Sequence, residues 1–180
     1  MDYSFEPEIE KLNVSCIING VVDNAVLELQ EDSDCRIILT VGNNTYSSGA
    51  EHFWGALTEL RKQLEEHNIK LLCQGCCMNV YPSPMILDMG DARKAYKMKL
   101  GYTAKMEDLV FIFDPCDPDD YASIEEQDRF YDEWKRTPRI LEKPNDSAKA
   151  DANLKDEHNT KPKKNWFQFW KHKSTGKQTG

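Results

Sequence analysis

The sequence predicts an α+β fold: a mixed or antiparallel sheet with two principal helices packed on one face. Three observations point there. Strand-like runs open the chain, a strongly amphipathic helix follows them, and further strands lead to a closing helix. Segregated strands and helices suit this class, whereas a doubly wound sheet would alternate them more regularly.

Each element has its own signal. Residues 14–18 and 25–30 are β-branched or alternating runs separated by Gly20 and Asp23-Asn24, and they read as two strands. Residues 35–41 make a third, closed by Gly42-Asn43-Asn44. Ser48-Gly-Ala-Glu51 has the spacing of a capping box, in which hydroxyl and carboxylate satisfy free N–H groups reciprocally. Phe53, Leu57, Leu60 and Leu64 then recur as one apolar stripe, with Glu51, Glu59, Arg61, Lys62, Glu65 and Glu66 on the other faces.

Ile69–Gly75 reads as a buried strand. Tyr81-Pro-Ser-Pro84 cannot continue it, since proline lacks a donor and restricts the residue before it. Residues 94–100 and 109–113 are further strands, and Cys116–Asp120 is a loop. Ser123-Ile-Glu-Glu126 is a second capping box. It opens a helix with Ile124, Gln127, Phe130, Tyr131 and Trp134 along one side and Pro138 as its stop. The expected organisation is a compact domain over 1–142, a disordered linker over 143–165 whose composition cannot offset its ordering entropy, and a basic-aromatic tail over 166–180.

The formal charge of −8 is unevenly spread. Residues 161–180 hold six lysines and no acid, and the other 160 residues hold 17 Lys and Arg against 31 Asp and Glu, a charge of −14. Such a body repels nucleic acid and attracts basic partners. The acidic start lacks the basic and apolar regions of a secretory signal, and no apolar run approaches the ~20 residues of a membrane span. The expected compartment is the cytoplasm, where Cys16, Cys35, Cys73, Cys76, Cys77 and Cys116 are thiols that serve packing.

Candidate chemistry is sparse. Cys73-Gln-Gly-Cys76-Cys77 contains a C-x2-C pair, half of a zinc site without two further spaced ligands, so no metal is expected, and Pro82 and Pro84 argue against the thioredoxin-like setting that a redox pair would want. A Cys77–His52 dyad would need a geometry that spacing does not supply. Asp114, Asp117, Asp119 and Asp120 depart from the EF-hand order and suit turns. No catalytic residue and no cofactor is expected, and the sequence leans against an enzyme. In the tail, Trp166, Phe169 and Trp170 share a face if helical, with Phe167 at its flank and lysines at both ends. That pattern suits docking onto a partner or onto the domain itself first, an anionic membrane surface second, and a short nucleic-acid contact through stacking rings last.

The middle of the chain resembles a family of small bacterial proteins. The matching residues are Val80-Tyr-Pro-Ser83, Met85, Met89-Gly90, Lys94-Ala-Tyr96, Leu100-Gly101, Asp108-Leu-Val110, Ile112-Phe-Asp-Pro115, Ile124-Glu-Glu-Gln127, Phe130 and Trp134. They span residues 74–136, about a third of the chain, and Cys76 and Cys77 are outside the pattern. The resemblance implies association with polymorphic toxin loci and an immunity role, and it supplies no catalytic residues. The expected function is a non-enzymatic protein-binding module that neutralises a basic toxin domain. Its expected contacts are Tyr81, Pro82, Met85 and Met89, with Asp117, Asp119, Asp120 and Tyr121. The alternatives are a small cysteine-centred metal protein or enzyme, and a peripheral membrane or scaffold protein held by Trp166–Trp170.

Overall fold

The computed structural model of the protein describes residues 9–140. The chain divides into two units, Met1–Leu141 and Glu142–Gly180. The linker and tail expected from the sequence, with Trp166, Phe167, Phe169 and Trp170, lie outside the described residues.

Tight turns set the register of the first sheet. Strands β1 (Ile9–Ile18) and β2 (Val21–Glu31) are joined by Asn19-Gly20, both at positive φ (50° and 84°). This mirror-image turn matches the right-handed twist of paired strands, and Asn-Gly adopts it at least cost. The turn is two residues long and not a gap reaching Asp23-Asn24, because β-branched Val21 and Val22 already pair with Ile18 and Ile17. A second two-residue turn at Gly42-Asn43 joins β3 (Cys35–Val41) to β4 (Asn44–Ala50). Alternate residues point inward: Val14 and Cys16 from β1, Ala25, Leu27 and Leu29 from β2, and Cys35, Ile37, Leu39 and Val41 from β3.

The fourth strand corrects the sequence reading. Ser48 is not a helix cap: it lies inside β4 opposite Ile37, and its hydroxyl donates to the Ala56 carbonyl at 2.7 Å. Pairing along the whole of β3 extends the strand to Ala50, so the helix starts later. Helix α1 (Phe53–Glu66) is capped by His52, whose Nδ1 accepts from the Gly55 N–H at 2.9 Å. Its inner face buries Phe53, Trp54, Ala56, Leu57, Leu60, Arg61 and Leu64. Each fully buried leucine contributes roughly 1.5–3 kcal/mol.

Strand β5 (Ile69–Leu72) returns to pair antiparallel with β1, giving the order β4-β3-β2-β1-β5. A second antiparallel sheet, β6-β7-β8, is built from β6 (Val80–Tyr81), β7 (Lys94–Lys97) and β8 (Leu109–Phe111). The class is α+β, as the sequence predicts, with its strands divided between two sheets. Helix α3 (Ile124–Arg136) carries the predicted Ser123–Glu126 capping box. Residues 84–89 form helix α2 (Pro84–Met89), capped by the Ser83 side chain with Pro84 in its first turn. Proline's fixed φ and missing donor suit that position. Among the described residues, no helix is long and apolar enough to cross a membrane.

Candidate functional site

Helix α2 has no buried residue. Met85 and Met89 stand 62% and 80% exposed on it. A cleft of about 520 Å³ opens on each side of this ridge, and Met85 lines both. One runs past Met89, Arg93 and Phe111. The other is floored by Tyr81, Pro82, Tyr96, Met98, Tyr131 and Trp134.

The aromatic rings of the second cleft are held in a ladder. Tyr81 stacks on Tyr131 with centroids 4.0 Å apart and planes 5° from parallel, and Trp54 tilts onto Tyr81 at 5.3 Å. Trp134 continues the stack and donates its indole N–H to the Tyr102 carbonyl at 3.1 Å. The Tyr81 hydroxyl donates to Asp128 at 3.2 Å. Burial first, and then the Asp128 charge, push the Tyr81 phenol up to about 12. The faces already attract cations, with Arg139 over Trp134 at 4.0 Å and Lys135 over Tyr131 at 4.6 Å.

A second cluster lies beneath α3, in the interior. Residues 73–78 thread between 112–116 and 120–122: Gln74 N–H bonds Asp114 O, Gly75 N–H bonds Ile112 O, and Ala122 N–H bonds Cys76 O. Cys73, Cys76 and Cys77 are fully buried there, and Cys116 nearly so. The Cys73 and Cys76 sulfurs are 3.5 Å apart. Beside them Arg61 is 2% exposed. It donates to Gly75 O (3.2 Å), Gln127 Oε1 (2.6 Å) and Ala122 O (2.8 Å), while its Nε has no hydrogen-bond partner.

Gln127 completes this lock from α3, its amide donating to Gly75 O, Cys77 O and Val80 O at 3.1, 2.8 and 2.9 Å. The hydrogen bond to Cys76 and burial raise the Cys73 thiol well above its ordinary value. Burial opposes a Cys76 thiolate, but the Cys73 hydrogen bond and the Arg61 charge outweigh it and hold that thiol below its ordinary value. A hydrogen bond to Cys77, with burial, raises Cys116.

The residues singled out in the sequence are divided by the fold. Tyr81, Pro82 and Met85 line the aromatic cleft, and Met89 the other. Pro82 is fully buried and lies on the cleft floor. Asp117, Asp119, Asp120 and Tyr121 line neither cleft; they lie near the opening end of β6, where Tyr121 bridges Cys77 and Asp120 pairs with Lys97 at 3.6 Å. Asp117 caps its own short turn by accepting from the Asp119 N–H. His52 is spent on its helix cap, and no hydrogen bond joins a histidine to a cysteine among the described residues. Nor does any group of three His, Cys, Asp or Glu there have the arrangement to hold a metal ion.

Arg61, which the sequence reading places off the leucine stripe on the other faces of α1, is buried with that stripe. Its spacing carried the signal: it follows Leu57 by four residues and precedes Leu64 by three, and so shares their face. No family model matches the chain, and no curated protein matches it.

Proposed function

We propose that the chain is a protein-binding module of an immunity type, acting in a bacterial cytoplasm, that holds a basic toxin domain against the α2 ridge and its clefts. The exposed pair Met85 and Met89 on a helix with no buried residue carries this reading. Flexible, polarizable methionine suits irregular protein surfaces, and a short capped helix loses little entropy when it docks. The aromatic floor supplies anchors of the kind that dominate interfaces. Exposed Asp88 and Asp128, within a −14 charge over residues 1–160, favour a cationic partner and speed its encounter.

The test is binding to the purified domain encoded beside this chain, with association followed over a range of salt. Met85→Asp with Met89→Asp should weaken binding by roughly 2–4 kcal/mol, as expected for the loss of central apolar contacts. Association should slow as salt rises. Tight binding that survives the double substitution, or an association rate indifferent to salt, rejects this surface.

A further inference from the structure

Arg61 presents an unmatched buried cation. Its guanidinium reaches only neutral acceptors, one of its nitrogens has no partner, and no carboxylate pairs with it among the described residues. A charge so placed is expensive unless an anion answers it. Its charge acts on Cys73, Cys76 and Tyr121. Glu65 is committed to the start of α3, where its carboxylate accepts from the Ile124 N–H at 3.2 Å. Of the groups its charge acts on, Cys73 and Cys76 lie within reach of each other, their sulfurs 3.5 Å apart.

We propose that Cys73 and Cys76 form a reversible redox pair beneath α3, and that hydrogen peroxide converts the two sulfurs to a disulfide that loosens the seat of that helix. The pair is already set for closure. Cys76 N–H bonds Cys73 O at 2.8 Å across a four-residue turn, a geometry that keeps the two α-carbons within about 7 Å, as a disulfide requires. The sulfurs need only approach from 3.5 Å to bonding distance.

The chemistry balances. The Cys76 thiolate attacks one peroxide oxygen, the O–O bond breaks, and hydroxide leaves, so that sulfur is oxidised to a sulfenic acid and peroxide is reduced. The Cys73 sulfur then displaces that oxygen: the S–S bond forms, the S–O bond breaks, and the Cys73 proton leaves with it as water. Peroxide would reach the buried sulfurs by local opening of the chain around them, where single bridges join Cys73 to Pro115 and Cys77 to Tyr121.

Closure removes both ionisable thiols beside Arg61 and draws in the 73–76 turn, whose Gly75 carbonyl accepts from Arg61 and from Gln127. The same guanidinium holds α3 through Gln127 and the approach to it through Ala122, so its strain is felt in that helix. Tyr131 and Trp134 ride on α3 and line the aromatic cleft, so the pair acts on the cleft whether or not the cleft binds a toxin.

Full-length protein treated with hydrogen peroxide should lose two hydrogens within the segment 71–93, mapped by mass spectrometry to Cys73–Cys76. Amide exchange over 124–136 should rise about tenfold and fall back when dithiothreitol is added. Cys73→Ser should stop at a sulfenic acid on Cys76 that dimedone traps, and Cys77→Ser should still close the bond. A Cys77–Cys116 bond in its place, thiols that resist peroxide until the chain unfolds, or a Cys73–Cys76 bond that leaves α3 exchange unchanged, each overturns the proposal. Because these readouts need no toxin, they fail or succeed independently of the binding role.

Discussion

Cys16 shows how one buried thiol ties stability to pH. It sits on the inner face of β1 with no exposed surface. Burial first, then the neighbouring Cys76 and Asp23 charges, push its thiol from near 9 up to about 12. The unfolded chain therefore releases this proton near pH 9 while the folded chain keeps it until about 12. The stability it confers is full below pH 9 and is lost as pH rises through 12. Tyr81, raised from 10 to about 12, adds to the same alkaline fall. Cys16→Ala should flatten the slope of unfolding free energy between pH 9 and 12, measured by denaturant titration at each pH. An unchanged slope would place the alkaline loss on other groups.

At the scale of elements, legibility followed how local each signal was. The capping box of α3 and the leucine stripe of α1 depend on residues within a turn of one another, and both stand in the structure as the sequence predicts. Strand β4 was hidden because Asn-Thr-Tyr-Ser-Ser-Gly-Ala has weak strand character; its pairing with β3 decides it, and that partner is supplied by the fold. The same holds for Cys73–Cys77, read as packing residues, since the proximity of Arg61 and Gln127 arises only when α1 and α3 close over them. Gly75 marks how tight that closure is. A Cβ there would meet Leu57 Cδ2 at 2.5 Å and Ile112 Cβ at 3.2 Å. Gly75→Ala should therefore cost about 1–3 kcal/mol by overpacking, read from the shift of the denaturant midpoint at constant slope. A neutral result would mean that Leu57 can swing clear, and that the turn is looser than its contacts imply.

Across the two sheets, the joining residue is Arg93, which the sequence offers no reason to notice because its partners on the first sheet, Glu31 and Glu10, are 62 and 83 residues away. Its guanidinium binds Glu10 of β1 at 2.5 Å, Glu31 at the end of β2 at 3.2 Å, and Asp91 at 2.7 Å, and it lies 4.4 Å over the Phe53 ring at the start of α1. The Asp91 carbonyl also accepts from the Phe53 N–H at 2.7 Å, so the entry to β7 is tied to α1 by backbone as well as by charge. Isolated surface pairs contribute little, but one cation shared by three carboxylates and an aromatic face is a network. Arg93→Ala should lower stability by about 1–2 kcal/mol in dilute buffer, with part of the loss disappearing near 1 M salt, where the wild-type ion pairs are themselves screened. Arg93→Met keeps the stem packed on Phe53 and removes only the charge, so it should lose the salt-sensitive share alone. If neither variant costs stability at any salt concentration, the seam depends on neither ion pairing nor packing by this side chain, and the Asp91–Phe53 backbone bond would be what holds the sheets in register.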